Sequence, residues 1–271
     1  MKKKNIIKWG DYLLLFLLIA ISGFPLFRDP IYILYYFIYL ITYLIIRNKV
    51  SLLMIYDRKE ILFLFLFIII SFLHFLLYQG FIFFSYLVLF AKIYAAFLIL
   101  KYLKFNFIIY YTKIIKILCV ISLFFWTLLQ VFPLLIPLMF YLGVDVPYTS
   151  NEFDRTLIIY HLNPNSFLFS FVRNNGPFWE PGGFVLFIII AVLFTFIQDN
   201  KINYKHIGIY IITLITTFST AGYLALLVFI LLNYILIQQK YIWSILLLIV
   251  SLYAYYEVDF LSEKIHKEIT Y

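Results

Sequence analysis

"EPGGFVLFIIIAVLFTFI", residues 180–197, carries its only charge at its first position and is apolar from Phe184 onward apart from Thr195. A helix rises about 1.5 Å per residue and a bilayer's hydrocarbon core is about 30 Å thick, so about 20 such residues cross it, fewer where flanking side chains reach the interface. Pro181 suits the first turn of a helix, where its missing N–H is not needed, and a carboxylate just before it is favoured by the helix dipole. Outward from this stretch the same texture returns at residues 12–27, 31–46, 61–78, 81–100, 114–132, 207–218, 222–237 and 241–256. Hydrophobic residues fill 65% of the 271 positions and charged residues 13%, against about 45–50% and about 25% in soluble domains. The expected fold class is all-α: a polytopic transmembrane helical bundle of about nine spans. It forms a single integral-membrane domain over residues 1–271, with one larger outer loop at 143–180.

Residues 207–237 would measure about 46 Å as one helix, far more than the bilayer core. "FSTAGY", residues 218–223, divides them, because Gly222 and the small polar residues before it break or kink a helix. Lysine and arginine placement orients the spans. Lys2, Lys3, Lys4, Lys8, Arg47, Lys49, Arg58, Lys59, Lys101, Lys104, Lys113, Lys116, Lys201, Lys205 and Lys240 share one side, which the positive-inside rule makes cytoplasmic along with the N-terminus. The interval 143–180 has four acids, two arginines and no lysine, and is expected outside. The basic N-terminus is read as a retained span, since no small-x-small cleavage site follows it. A net charge of +8 spread over short loops excludes a nucleic-acid surface. An aromatic content of 23% suits lipid-facing helices and interfacial belts. The lone Cys119 reads as a packing residue.

Candidate chemistry is sparse. There is no HExxH, paired CxxC, Walker loop or GxSxG elbow, so no metal and no nucleotide cofactor is expected. "NPN", residues 163–165, reads as a turn initiator. His74 reads as a helix–helix hydrogen-bonding residue. Lys92 lies near the middle of an apolar span, where a lysine costs about 2.5–3.5 kcal/mol to insert; it is either snorkelled or internally paired, or it faces an anionic ligand. The outer interval is richer, because Arg155, His161, Arg173 and Glu180 fall close together and Gly176, Pro177, Pro181, Gly182 and Gly183 shape the backbone around the last two. Glu180 and Arg173 are open to two readings: a helix cap with its ion-pair partner, or a working pair.

"RNNGPFWEPGGFVLFIIIAVL", residues 173–193, resembles the R-x-x-G-x-F-W-E-P-G-x-F segment of bacterial Wzy-type polysaccharide polymerases, within the O-antigen polymerase and ligase superfamily. "TTFSTAGYLALLVFI", residues 216–230, is similar to that family's T-x-S-x-x-G-Y-x-A-L segment, in the same order along the chain. The amino-terminal half resembles the family in hydropathy alone.

The resemblance implies a GT-C-like, metal-independent membrane glycosyltransferase that polymerises undecaprenyl-diphosphate-linked oligosaccharides into surface polysaccharide, capsule or lipopolysaccharide O-antigen. The implied location is the outer face of the bacterial cytoplasmic membrane, with no nucleotide cofactor and with a flippase and a chain-length regulator as partners. A diphosphate leaving group needs its charge stabilised where water is scarce, and an arginine fork matches phosphate oxygens. Arg173 comes first for that role and Arg155 second, with Lys92 an inner contributor. Glu180 or His161 suits orientation and deprotonation of the acceptor hydroxyl. Trp179 and Phe178 either pack on sugar faces or anchor the interface. The alternatives are an O-antigen ligase of the same superfamily, or a polysaccharide transporter or flippase with the outer interval as its gate. Relatives of this kind continue into a further outer loop with another arginine, so the chain is expected to be truncated after "EVDFLSEKIHKEITY", residues 257–271, and weak when alone.

Overall fold

The computed structural model describes residues 2–47, 49, 51, 58–78, 83–146, 155–162, 167–168, 171–198, 204–220, 222–224 and 227. The expected spans past Leu227, the "NPN" turn and the carboxyl-terminal tail lie outside the described residues. Within them the chain is mostly helical. The helices are α1 (Lys2–Gly23), α2 (Pro30–Ile46), α3 (Arg58–Tyr78), α4 (Phe83–Leu103), α5 (Asn106–Val131), α6 (Leu135–Leu142), α7 (Pro181–Gln198) and α8 (Tyr204–Thr216). Three stretches are long and apolar enough to cross a membrane: Ser85–Leu103, Asn106–Val131 and Pro181–Gln198. Trp9–Gly23, Pro30–Ile46, Ile61–Leu76 and His206–Thr216 are shorter apolar helices.

The helix ends follow from local chemistry. Proline disfavours helical backbone in the residue before it, and Phe24, ahead of Pro25, is extended at φ −88° and ψ 135°. α1 therefore stops at Gly23, four residues short of the expected Phe27. A single 3-10 turn, Pro25–Phe27, leads to Asp29, whose carboxylate accepts from Ile31 N at 2.9 Å and caps α2 behind Pro30. α5 begins at Asn106, eight residues before the apolar stretch that announced it. Its first turns carry Lys113 on an exposed face and Tyr110, Tyr111 and Ile114 on a buried one. Phe218 takes a left-handed φ of 47°, and the helix resumes at Thr220, so the expected division of 207–237 falls at the start of "FSTAGY".

α5 is the central post. Its buried residues Tyr110, Tyr111, Ile114, Ile115, Leu118, Cys119 and Ser122 recur at three- and four-residue spacing, which gathers them on one helix face. That face packs against α7 and α8, while α1 fits between α2, α4 and α5. Tyr111 Oη donates to Phe187 O at 3.1 Å and Tyr210 Oη to Thr112 O at 2.8 Å, locking α7 and α8 to the post. Midway along α1, Asp11 accepts from Tyr43 Oη at 2.6 Å and Tyr102 Oη at 2.9 Å, with Arg47 at 3.5 Å, tying α1, α2 and α4. α3 leaves large side chains such as Phe65, Ile68, Ile70 and Phe72 bare, a surface far more apolar than an aqueous protein tolerates.

α6 was unforeseen and lies between the expected span ending at Phe132 and the expected outer loop at 143–180, which has strands of its own. Pro137 is its third residue, where the backbone N–H has no intrahelical partner in any case, so the helix tolerates it. A three-stranded antiparallel sheet follows, β1 (Val144–Asp145), β2 (Arg155–Thr156) and β3 (His161–Leu162), with Asp145 opposite Arg155 and Thr156 opposite His161. A separate hairpin joins β4 (Phe167–Leu168) to β5 (Phe171–Val172). Leu129, Met139, Tyr160, Leu162 and Val172 form a small second core that seats this cap on the end of α5.

Candidate functional site

The segment 172–184 is pinned from every side. Val172 O accepts from Trp126 Nε1 and Gln130 Nε2 of α5, both at 2.7 Å. Asn174 is fully buried: its N–H donates to Thr216 O at 3.0 Å, its Nδ2 to Thr216 Oγ1 at 2.9 Å, and its Oδ1 accepts from Gly176 N at 3.1 Å. Gly176 needs to be glycine, since its φ is +55° and a Cβ there would come within 2.6 Å of the Phe184 ring. Phe178 is completely buried among Phe24, Phe184 and Phe187, with ring centroids 4.6–5.2 Å away. Trp179 N donates to Gly23 O at 3.2 Å, so the end of α1 meets the start of α7.

The two segments that carry the resemblance therefore touch. Arg173 Nε donates to Thr217 O at 3.2 Å, beside the Asn174–Thr216 contacts. A Cβ on Gly182 would stand 3.7 Å from Glu180 Oε1 and 3.9 Å from Ser219 Oγ, so Glu180 and Ser219 border the same glycine. Arg173 is half-buried, and burial lowers its pKa while the nearby Glu180 charge opposes that shift. Its two terminal nitrogens have no hydrogen-bond or ion-pair partner among the described residues. Glu180 is exposed, and its carboxylate neither caps α7 nor forms an ion pair within 4 Å of Arg173. The pair is held close enough to interact electrostatically without being consumed by a direct bond. Such a site offers a planar cationic fork and an open carboxylate within electrostatic reach of each other.

Trp179 is 49% exposed and lines a cleft of ≈ 150 Å³ with Ser22, Gly23, Arg28 and Lys92. Lys92 thus joins the same end of the bundle as Arg173 and Glu180.

Arg155 and His161 lie elsewhere, in the cap. Arg155 Nε pairs with Asp145 Oδ1 at 2.9 Å and its Nη1 donates to Phe140 O at 2.9 Å, which commits most of its fork to the fold. His161 is 2% exposed, and burial lowers its pKa to about 4, against a backbone hydrogen bond with Arg155 that pulls the other way. It is neutral at neutral pH with no open face, and it reaches the site through its backbone, whose N–H donates to Gly176 O at 2.7 Å. Sequence reasoning missed Asn174, Ser219 and Arg28. Asn174 had a signal, an amide side chain two residues before a glycine, which favours a local side-chain turn; Ser219 and Arg28 had none without the third dimension. No protein-family model, no curated protein and no solved structure matches this chain.

Proposed function

We propose that the chain polymerises undecaprenyl-diphosphate-linked oligosaccharide repeat units at the outer face of the bacterial cytoplasmic membrane, with the N-terminus cytoplasmic and residues 143–180 outside. The observation that carries this reading is the junction of the two motif segments, where Arg173 donates to Thr217 O at 3.2 Å and, among the described residues, keeps its terminal nitrogens uncommitted within electrostatic reach of a Glu180 carboxylate that has no ion-pair partner. The acceptor hydroxyl oxygen forms a bond to the donor's anomeric carbon as that carbon's bond to the phosphate oxygen breaks. The electron pair leaves with the diphosphate, whose charge Arg173 receives, and the hydroxyl proton passes to Glu180. Trp179 offers an apolar face to the sugar. The buried Asn174 and Phe178 fix this geometry from below.

Deleting the gene and analysing surface polysaccharide by gel tests the proposal. Anchors bearing a single repeat unit are the expected result. Loss of all attached sugar would replace the polymerase with a ligase, and an unchanged ladder would remove both.

A further inference from the structure

Joining two lipid-linked units requires two diphosphates in the protein at once, one leaving and one retained by the acceptor. Arg173 supplies one cationic seat. A second lies across Trp179, in the cleft between the α1–α2 turn and α4 that Arg28 and Lys92 line. No acidic residue lines this cleft, and neither side chain has a hydrogen-bond or ion-pair partner among the described residues. Arg28 is exposed and Lys92 partly so, which leaves both ammonium and guanidinium groups available.

The surroundings select the kind of anion. Lys92 lies nine residues beyond Phe83, about 13 Å along the helix, within the span-like stretch Ser85–Leu103. Leu87 and Leu89, between the end of α4 and Lys92, are 48% and 47% exposed. The cations therefore sit beside bare apolar helix surface, where an isolated charge is costly and an anion attached to a hydrocarbon chain meets both halves of the surface. Gly23, Pro25 and Trp179 also line the cleft, and Glu180 follows Trp179 in the chain.

We infer that the Arg28–Lys92 cleft is a phosphate seat for a prenyl-linked diphosphate, distinct from the seat at Arg173. This rests on the polymerase reading.

The test titrates the purified full chain in detergent micelles with geranylgeranyl diphosphate and counts bound molecules by native mass spectrometry. Geranylgeraniol, sodium diphosphate and phosphatidylglycerol are the comparison ligands. Arg28→Gln with Lys92→Gln is expected to weaken one bound prenyl diphosphate at least tenfold, Lys92→Arg to retain it, and Arg173→Gln to leave it within threefold. Removing a charge from an apolar helix eases insertion, so lost binding with an unchanged elution profile reports the seat and not the fold. Unaltered binding by the double variant would overturn the inference. So would sodium diphosphate binding as tightly, which marks a free-anion site, or phosphatidylglycerol competing equally, which marks a general anionic-lipid surface. Prenyl diphosphate held by a chain whose deletion leaves the polysaccharide unchanged would keep the cleft and discard the polymerase. A lost ladder on deletion together with unaltered binding by the double variant would do the reverse.

Discussion

Gly176 shows how single residues hold the site. With φ at +55° and a prospective Cβ 2.6 Å from the Phe184 ring, any side chain strains the backbone and displaces an aromatic from the core. Gly176→Ala should cost about 1–3 kcal/mol, read as a lower thermal midpoint of the purified protein in detergent. His161 makes a second residue-scale prediction. Its unfolded pKa is about 6.5 and its folded value is held down to about 4 by burial. A depressed pKa means the unfolded chain binds the proton first. Stability from this group is complete above about pH 6.5 and declines as the pH falls towards about 4. Limited proteolysis of the cap should accelerate over that window in wild type and less in His161→Gln; identical pH profiles would remove the explanation. Arg173 and Glu180 were legible in the sequence only as part of one interval with Arg155 and His161, and Lys92 only as an apolar-span lysine that is either snorkelled or paired or faces an anion. Arg155 and His161 were legible only as polar residues in the right interval. Whether a guanidinium is spent on a neighbouring carboxylate, or an imidazole is sealed in a core, depends on strand register, which two-residue strands do not announce.

At the scale of elements, hydropathy finds the apolar part of a helix and not its ends. α5 starts eight residues early because Lys113 lies on the exposed face of a helix that is already packed on its other side. α6 escaped notice because Pro133 and Pro137 look like breakers, although Pro137 stands where a helix accepts it. Length required a break in 207–237 and Gly222 with the small polar residues before it was read as making it; the break falls instead at Phe218, with Gly222 already helical, and puts Thr216 and Thr217 carbonyls at the end of α8, where Asn174 and Arg173 use them. At the opposite end, Asp11 draws α1, α2 and α4 together through Tyr43 and Tyr102. Asp11→Ala leaves two hydroxyls and Arg47 without their common acceptor, and should cost about 1–3 kcal/mol. Thermal unfolding in detergent checks it, and a midpoint equal to wild type would show that the tie carries no stability.

For the whole molecule, the cation asymmetry predicts that residues 143–180 face away from the cytoplasm. A cysteine at Asn151 should react with an impermeant maleimide on intact cells. The native Cys119 is buried, so it adds little background. Labelling at Asn151 only after permeabilisation would invert the topology and move the site to the wrong side for lipid-linked sugars. Where the segment leading into α7 meets the end of α8, Arg173 keeps an uncommitted fork within electrostatic reach of the Glu180 carboxylate, and the proposed function rests on that one place. The most direct measurement places Arg173→Ala and Arg173→Lys at the chromosomal locus and compares membrane protein levels and the polysaccharide ladder. The predicted result is near-normal protein with chains collapsed to one repeat unit in both variants, because a point charge does not replace a two-pronged phosphate contact. A full-length ladder from Arg173→Ala would contradict the account.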